Sequence, residues 1–169
     1  MKNALKFGLL AGLIVVGLMF AFSWTGEMNF EGGEIKGYAG MIVGMLLIFF
    51  GVKQYRDKQL GGQITFGKAF LHGLLITFFA GIIYVLGWEY YYNTSASDFM
   101  QQYSAYMLDQ AREAGATEQE LSAQKAEMES MQEWYSLWYF RALMTFVEIF
   151  PVGLIFSLGS AFVLKKQNQ

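Results

Sequence analysis

Residues 69–88, AFLHGLLITFFAGIIYVLGW, decide the fold of this chain, because they contain no Asp, Glu, Lys or Arg. The hydrocarbon core of a bilayer is about 30 Å thick, and a helix of about 20 mainly apolar residues spans it. Helices are expected because isolated strands would leave backbone N–H and C=O groups unpaired in hydrocarbon. The stretch therefore predicts a transmembrane helix, which we place at about residues 69–90.

Three further apolar stretches of similar length lie along the chain. Residues 7–24 and 37–55 precede residues 69–88 in the chain. Residues 142–164 follow them and contain Glu148 as their single carboxylate. We therefore predict an all-α membrane protein, with four transmembrane helices in a single membrane domain over residues 1–169.

The composition agrees with lipid as part of the solvent. Charged residues make up 15% of the chain, whereas soluble domains average about 25%. The lack of cysteine excludes disulfides and thiolate chemistry, and the single histidine, His72, excludes a site with two imidazoles. The sequence contains no basic stripe interleaved with aromatic residues, so we expect no nucleic-acid partner. We expect no metal, no cofactor and no catalytic residues.

The apolar stretch at residues 7–24 has a second interpretation as a secretory signal. Lys2 and Lys6 precede an apolar run, and Ala21-Phe22-Ser23 offers a cleavage site. However, the run from Phe7 to Phe22 is at or past the upper end of a signal core, which is about 7–15 residues long. Trp24 suits an interfacial anchor, so we favour a retained span.

The placement of lysine and arginine predicts the orientation, since these residues concentrate in cytoplasmic loops. Eight of them lie near the two termini or between the second and third spans: Lys2, Lys6, Lys53, Arg56, Lys58, Lys68, Lys165 and Lys166. The other four are spread over much more chain: Lys36, Arg112, Lys125 and Arg141. Both termini are therefore expected in the cytoplasm.

The segment of about residues 96–140 is expected to form a helical hairpin on the outer side. Gly115 suits a helix C-terminus, and Thr117 with Glu120 matches a capping box that begins a second helix. This second helix carries an apolar stripe at helical spacing: Leu121, Met128, Met131, Tyr135 and Trp138. The pattern allows the helix to continue into the fourth span without a break.

Glu148 is the first candidate for a functional residue inside the membrane. A charged carboxylate near the bilayer centre costs about 2.5–3.5 kcal/mol. Pro151 follows three residues later and cannot donate to the carbonyl of Val147, so it is expected to kink the helix. An acid beside a kink is common at an ion or substrate path. The favoured alternative is a neutral glutamic acid that is hydrogen-bonded to a neighbour: Thr145, Tyr84 or Trp88.

Candidate ligands for anionic lipid headgroups lie between the second and third spans. They are Lys53, Arg56, Lys58, Lys68 and, in the first turns of the third span, His72. Each basic residue near an anionic surface contributes about 1 kcal/mol. Thr65 is a plausible N-cap for the third span. The alternatives are charges that only set the topology, and a histidine that is hydrogen-bonded within the protein.

Glycines form the most regular pattern in the first two spans. They are Gly8 and Gly12 in the first and Gly37, Gly40, Gly44 and Gly51 in the second. Small residues let helix backbones approach closely in lipid. We favour packing within one chain over a homodimer face.

The order of these features resembles a known membrane family. GVKQYR at residues 51–56 and LGGQITFGKAF at residues 60–70 lie between two spans, within residues 41–92. This stretch is similar to the family catalogued as domain of unknown function 4199, found mainly in Bacteroidetes. The resemblance implies four spans in a bacterial inner membrane, and it implies no activity or catalytic residues.

The leading hypothesis is a non-enzymatic interaction or accessory subunit, whose periplasmic hairpin binds a membrane-protein partner or a second copy of the chain. One alternative is a subunit of a small ion or solute transporter or channel that uses Glu148. Another is a membrane protein that binds anionic lipid.

Overall fold

The computed structural model describes residues 1–23, 30 and 32–166. The described residues form six helices: α1 (Lys2–Ser23), α2 (Gly33–Gln59), α3 (Phe66–Ser95), α4 (Phe99–Glu113), α5 (Glu118–Ser136) and α6 (Trp138–Leu164). One isolated antiparallel bridge joins Ile64 to Lys166. The predicted anchor Trp24 lies outside the described residues.

Four of these helices are long and apolar enough to cross a membrane, as judged by length and composition. They are α1, α2, α3 and α6, with 22, 27, 30 and 27 residues. At a rise of about 1.5 Å per residue, even α1 is about 33 Å long, which matches the bilayer core. The predicted all-helical class is therefore confirmed, and the four long apolar helices indicate a membrane protein.

The second long helix extends beyond the predicted range at both ends. It begins at Gly33 and ends at Gln59, so Lys53, Arg56 and Lys58 lie in its last turns rather than in a loop. Basic side chains at a helix C-terminus interact favourably with the partial negative charge of the helix dipole. At the start of α3, the Thr65 hydroxyl accepts a hydrogen bond from the amide of Lys68 at 3.3 Å, as predicted for an N-cap.

The contacts within the chain define two compact units. Unit 1 contains Met1–Gly87 and Thr145–Gln169, and unit 2 contains Trp88–Met144. The centre of unit 1 is filled by side chains that solvent does not reach, and these come from α2, α3 and α6: Met41, Met45, Ile48, Val52, Ile76 and Ile149.

The outward surface of unit 1 is also apolar. Leu13, Leu71 and Ile155 are exposed on α1, α3 and α6. A helix that is apolar on every side is typical of a buried core or of a membrane span. Because these side chains do not face protein, lipid is the environment that suits them.

The predicted hairpin corresponds to α4 and α5, which pack against each other in unit 2. Gly115 follows α4 at a φ of 85°, a left-handed conformation that favours glycine. Thr117 and Glu120 form the predicted capping box at the start of α5. Hydrogen bonds from the backbone N–H and the hydroxyl of Thr117 hold the pKa of the Glu120 carboxyl below its usual value.

The sequence pattern allowed a continuous helix from the hairpin into the fourth long helix, but this continuity is not present. Instead, α5 ends at Ser136, Leu137 adopts an extended conformation with φ −78° and ψ 117°, and α6 begins at Trp138.

Candidate functional site

Glu148 meets one of the partners predicted for it. The hydroxyl of Tyr84 on α3 donates to Oε2 of Glu148 on α6 at 3.2 Å. Tyr84 is buried, whereas Glu148 lies on the exposed side of α6. Helix α6 continues through Pro151, which has no N–H to offer to the carbonyl of Val147. The Glu148 carboxyl, which accepts a hydrogen bond from the phenol of Tyr84, has the chemistry to accept or release one proton.

Trp88 belongs to unit 2 and has a different role from the one predicted. Its indole N–H donates to the Tyr135 hydroxyl at 2.8 Å, and an indole has only one donor. Its ring also lies edge-on to Phe99, with 5.2 Å between the ring centroids. Trp88 therefore ties the end of α3 to the hairpin, and it is Tyr84 that supplies a hydrogen bond to Glu148.

Arg141 organises unit 2, and the sequence analysis assigned it only an outer charge. Its Nε and one terminal nitrogen donate to the two carboxylate oxygens of Glu89, both at 2.7 Å. The other terminal nitrogen donates to the carbonyl oxygens of Tyr135 at 2.8 Å and Ser136 at 3.4 Å. The guanidinium carbon also lies 3.9 Å from the ring centroid of Tyr92. The side chain is only 4% exposed.

These contacts explain the break before α6. The last carbonyl groups of a helix lack intrahelical donors, and Arg141 satisfies two of them at the end of α5. A sequence signal was available: Glu89 directly follows one apolar stretch, and Arg141 directly precedes another. Opposite charges at the ends of two neighbouring spans are candidates for an ion pair.

An exposed apolar patch surrounds the α5–α6 break. Trp134 is 54% exposed and Trp138 is 68% exposed. We call this patch the junction surface, and its members are Met131, Trp134, Leu137, Trp138 and Tyr139. The predicted stripe on α5 is therefore divided, since Leu121 is buried and Tyr135 is partly buried, whereas Met131 and Trp138 face outward.

His72 is inside unit 1 rather than at the surface where a headgroup would reach it. Its side chain is 5% exposed, and Nε2 lies 2.8 Å from Oδ1 of Asn3. The Asn3 amide donates to Oε1 of Gln54 at 2.9 Å, and the ring of Tyr55 stacks on the imidazole at 3.9 Å between centroids. The contacts match the hydrogen-bonded alternative and link α1, α2 and α3. The sequence analysis did not identify Asn3, Gln54 or Tyr55, because no local pattern marks them.

The other predicted headgroup ligands lie near this cluster at the same end of unit 1. Lys53, Lys58 and Lys68 are exposed. Arg56 is partly buried: its Nε donates to Asp57 at 2.7 Å, and a terminal nitrogen donates to the carbonyl of Leu164 at 3.3 Å. Arg56 thus caps the end of α6, and Lys53, Lys58 and Lys68 are the exposed cations among the predicted headgroup ligands.

Most of the predicted packing glycines lie at contacts within unit 1. A Cβ atom on Gly8 or Gly12 would collide with α3, and one on Gly44 would collide with α1. Gly51 lies against Ile76 and Phe7, and Gly40 faces Leu18 at ordinary contact distance. Gly37 alone among the six has open space around it. The sequence analysis missed three further glycines at the contact between α3 and α6: Gly73, Gly81 and Gly153.

No group of His, Asp and Glu side chains that could hold a metal ion is found in the described part of the chain.

Comparison with known proteins identifies a family but adds no activity. No curated protein and no solved structure matches the sequence. A family model described as Protein of unknown function (DUF4199) matches residues 6–166. Because that match covers nearly the whole chain and confirms the resemblance seen in its motifs, this protein belongs to the DUF4199 family.

Proposed function

We propose that the chain is a multi-pass protein of the bacterial inner membrane, with four spanning helices, both termini in the cytoplasm and the α4–α5 hairpin in the periplasm. The support is the distribution of charge. Eight of the twelve lysines and arginines belong to the end of unit 1 that contains the start of α1, the α2–α3 connection and residues 165–166, and such residues concentrate on the cytoplasmic side.

Within this topology, we infer that the protein is a non-enzymatic interaction subunit that binds a membrane-protein partner through unit 2. The observation that carries this inference is the junction surface. Trp134 and Trp138 are among the most exposed large side chains of unit 2. Tryptophan is enriched among the residues that dominate binding energy at protein interfaces. An aromatic belt at the lipid boundary is the competing explanation for the same residues.

The Arg141 contacts strengthen the case for binding. They hold the end of α5 and the start of α6 in one geometry, so the tryptophans on either side of Leu137 are presented together. A surface that is rigid before binding loses less conformational entropy when a partner docks.

The test uses single cysteines, because the natural chain has none. Met131→Cys places a thiol on the junction surface, and Glu133→Cys places one about 200° around α5, at 3.6 residues per turn. A membrane-impermeant maleimide that carries a photoreactive group is applied to spheroplasts. We expect both positions to be labelled from outside and only position 131 to yield, after illumination, a discrete product containing a second polypeptide. Lys58→Cys should be labelled only after permeabilisation.

The product should disappear when Trp134 and Trp138 are both replaced by alanine. Lipid adducts alone at position 131, or equal polypeptide products from positions 131 and 133, would overturn the interaction role. Labelling of position 58 in intact spheroplasts would overturn the topology. A product with twice the mass of the chain would identify the partner as a second copy.

A second candidate function is ion or solute transport that uses Glu148. The observation in its favour is that this carboxyl lies on the exposed side of an apolar helix, with Tyr84 as a hydrogen-bond donor and Pro151 one turn away. A carboxylate inside a spanning helix is a functional candidate because it is costly to keep there.

If this function is correct, liposomes containing the protein should show pH-dependent proton or cation flux, and Glu148→Gln should lower it at least tenfold. Glutamine can still accept a hydrogen bond from Tyr84 but cannot exchange a proton. Glu133→Gln, which changes an exposed carboxylate outside the long apolar helices, should leave the flux unchanged. Equal flux in both variants, or no flux above empty liposomes, would rule transport out.

A further inference from the structure

Four separate segments of the chain meet at one end of unit 1. Asn3 is hydrogen-bonded to Gln54, which brings the start of α1 to the end of α2. The backbone bridge between Ile64 and Lys166, at 3.0 and 2.9 Å, joins the α2–α3 connection to the residues after α6. Arg56 adds the hydrogen bond to the carbonyl of Leu164. The charges of these segments therefore act together, although they are far apart in sequence.

The combined charge is strongly positive. This region, which we call the basic end, carries Lys2, Lys6, Lys53, Arg56, Lys58, Lys68, Lys165 and Lys166. Asp57 is the one carboxylate in the sequence of the same segments, and it is paired with Arg56 at 2.7 Å. In the described part of the chain, no carboxylate lies within ion-pair distance of the seven lysines. These exposed cations are therefore available to an anionic partner.

Apolar side chains adjoin these cations directly. The Lys165 ammonium lies 4.6 Å from the ring centroid of Phe162, and Phe162 is itself 68% exposed. At the start of α3, Phe66 and Leu71 are exposed and lie within three residues of Lys68 in the sequence. Lysines whose stems lie along apolar surface while their ammonium groups point to water are typical of the headgroup level of a bilayer. A soluble polyanion would not require this apolar border.

We propose that the basic end binds the phosphate headgroups of anionic phospholipids, with Lys53, Lys58 and Lys166 as the main ligands. These three are exposed, unlike Arg56, which is occupied by Asp57 and Leu164. The carbonyl of Lys166 is bound to the amide of Ile64, so its side chain projects from a backbone position that is held in place. This inference is independent of the partner proposed for the junction surface.

The test compares two triple variants of the full chain in detergent. Lys53→Gln/Lys58→Gln/Lys166→Gln removes three cations from the basic end. The matched control, Lys36→Gln/Arg112→Gln/Lys125→Gln, removes three exposed cations from elsewhere. Native mass spectrometry measures the retention of phosphatidylglycerol and of phosphatidylcholine with the same acyl chains. All six side chains are exposed, so melting temperatures should stay close to that of the unaltered protein.

We expect the unaltered protein and the control variant to retain phosphatidylglycerol in preference to phosphatidylcholine. Each basic residue near an anionic surface is worth about a fivefold change in affinity, so the basic-end variant should retain at least about tenfold less phosphatidylglycerol. Equal losses in the two variants, no loss in either, or equal retention of the two lipids would overturn the proposal. Displacement of the lipid by millimolar glycerol phosphate would assign the site to soluble phosphates and would also overturn it.

Discussion

Replacing Arg141 with alanine is expected to lower the free energy of unfolding of unit 2 by about 3–5 kcal/mol, the range for breaking one partner of a buried ion pair. The change removes the bidentate donor of the Glu89 carboxylate. It also removes the guanidinium hydrogen bonds to the carbonyl groups of Tyr135 and Ser136 at the end of α5. It also removes the cation over the Tyr92 ring.

Hydrogen exchange of the protein in detergent measures this effect locally. Amides in α5 and at the start of α6 should lose protection in Arg141→Ala. Arg112→Ala is the matched control, because Arg112 lies in the same unit and forms an exposed pair with Asp109. Exposed pairs contribute about 0.2–1 kcal/mol, so the control should be nearly neutral. Equal loss of protection in the two variants would contradict the organising role of Arg141.

Arg141→Lys separates the contribution of charge from that of geometry. Lysine keeps the positive charge but cannot present the planar fork that pairs with both oxygens of a carboxylate. We therefore expect a loss of protection between those of the alanine variant and the unaltered protein, with the amides at the end of α5 exchanging faster than in the unaltered protein.

Gly8→Ala is expected to destabilise unit 1 by about 1–3 kcal/mol, the usual cost of overpacking. A Cβ atom at Gly8 would lie 2.5 Å from the Cβ atom of Phe79 and 2.8 Å from the carbonyl oxygen of Ile76. Because the oxygen belongs to the backbone of α3, it cannot move aside as a side chain would. The two helices must separate, and the neighbouring contact at Gly12 then loosens as well.

Gly17→Ala in the same helix is the control, since a Cβ atom there would meet nothing within 4 Å. Alanine is favoured over glycine in a helix by about 0.8–1.0 kcal/mol, so this variant should be neutral or slightly more stable. Unfolding in mixed detergent micelles gives both values. If the two substitutions have the same effect, α1 and α3 are not as close as described. A purely oligomeric role for Gly8 would instead leave the stability of the monomer unchanged.

The local features of this chain were predictable because each depends on residues that are close in sequence. The apolar stretches that became α1, α2, α3 and α6 are recognised by their length and apolar composition. Gly115 and the pair of Thr117 and Glu120 mark helix ends within a single turn, and the structure has both where they were expected. The family was also recognisable from a motif in one connection.

Tertiary structure decided which side chains meet. Glu148 is held by Tyr84, while Trp88 donates to Tyr135. His72 turns inward to Asn3, and Arg141 reaches back to Glu89 across 52 positions and ends α5 at Ser136. The physical reason is that a helix in lipid is apolar on every side, so hydrophobic periodicity does not reveal which face packs against protein. Sequence by itself therefore determined the helices and the locally marked ends at Gly115 and Thr117, whereas the rotation of each helix about its axis, the break between α5 and α6 and the long-range polar contacts followed only from packing.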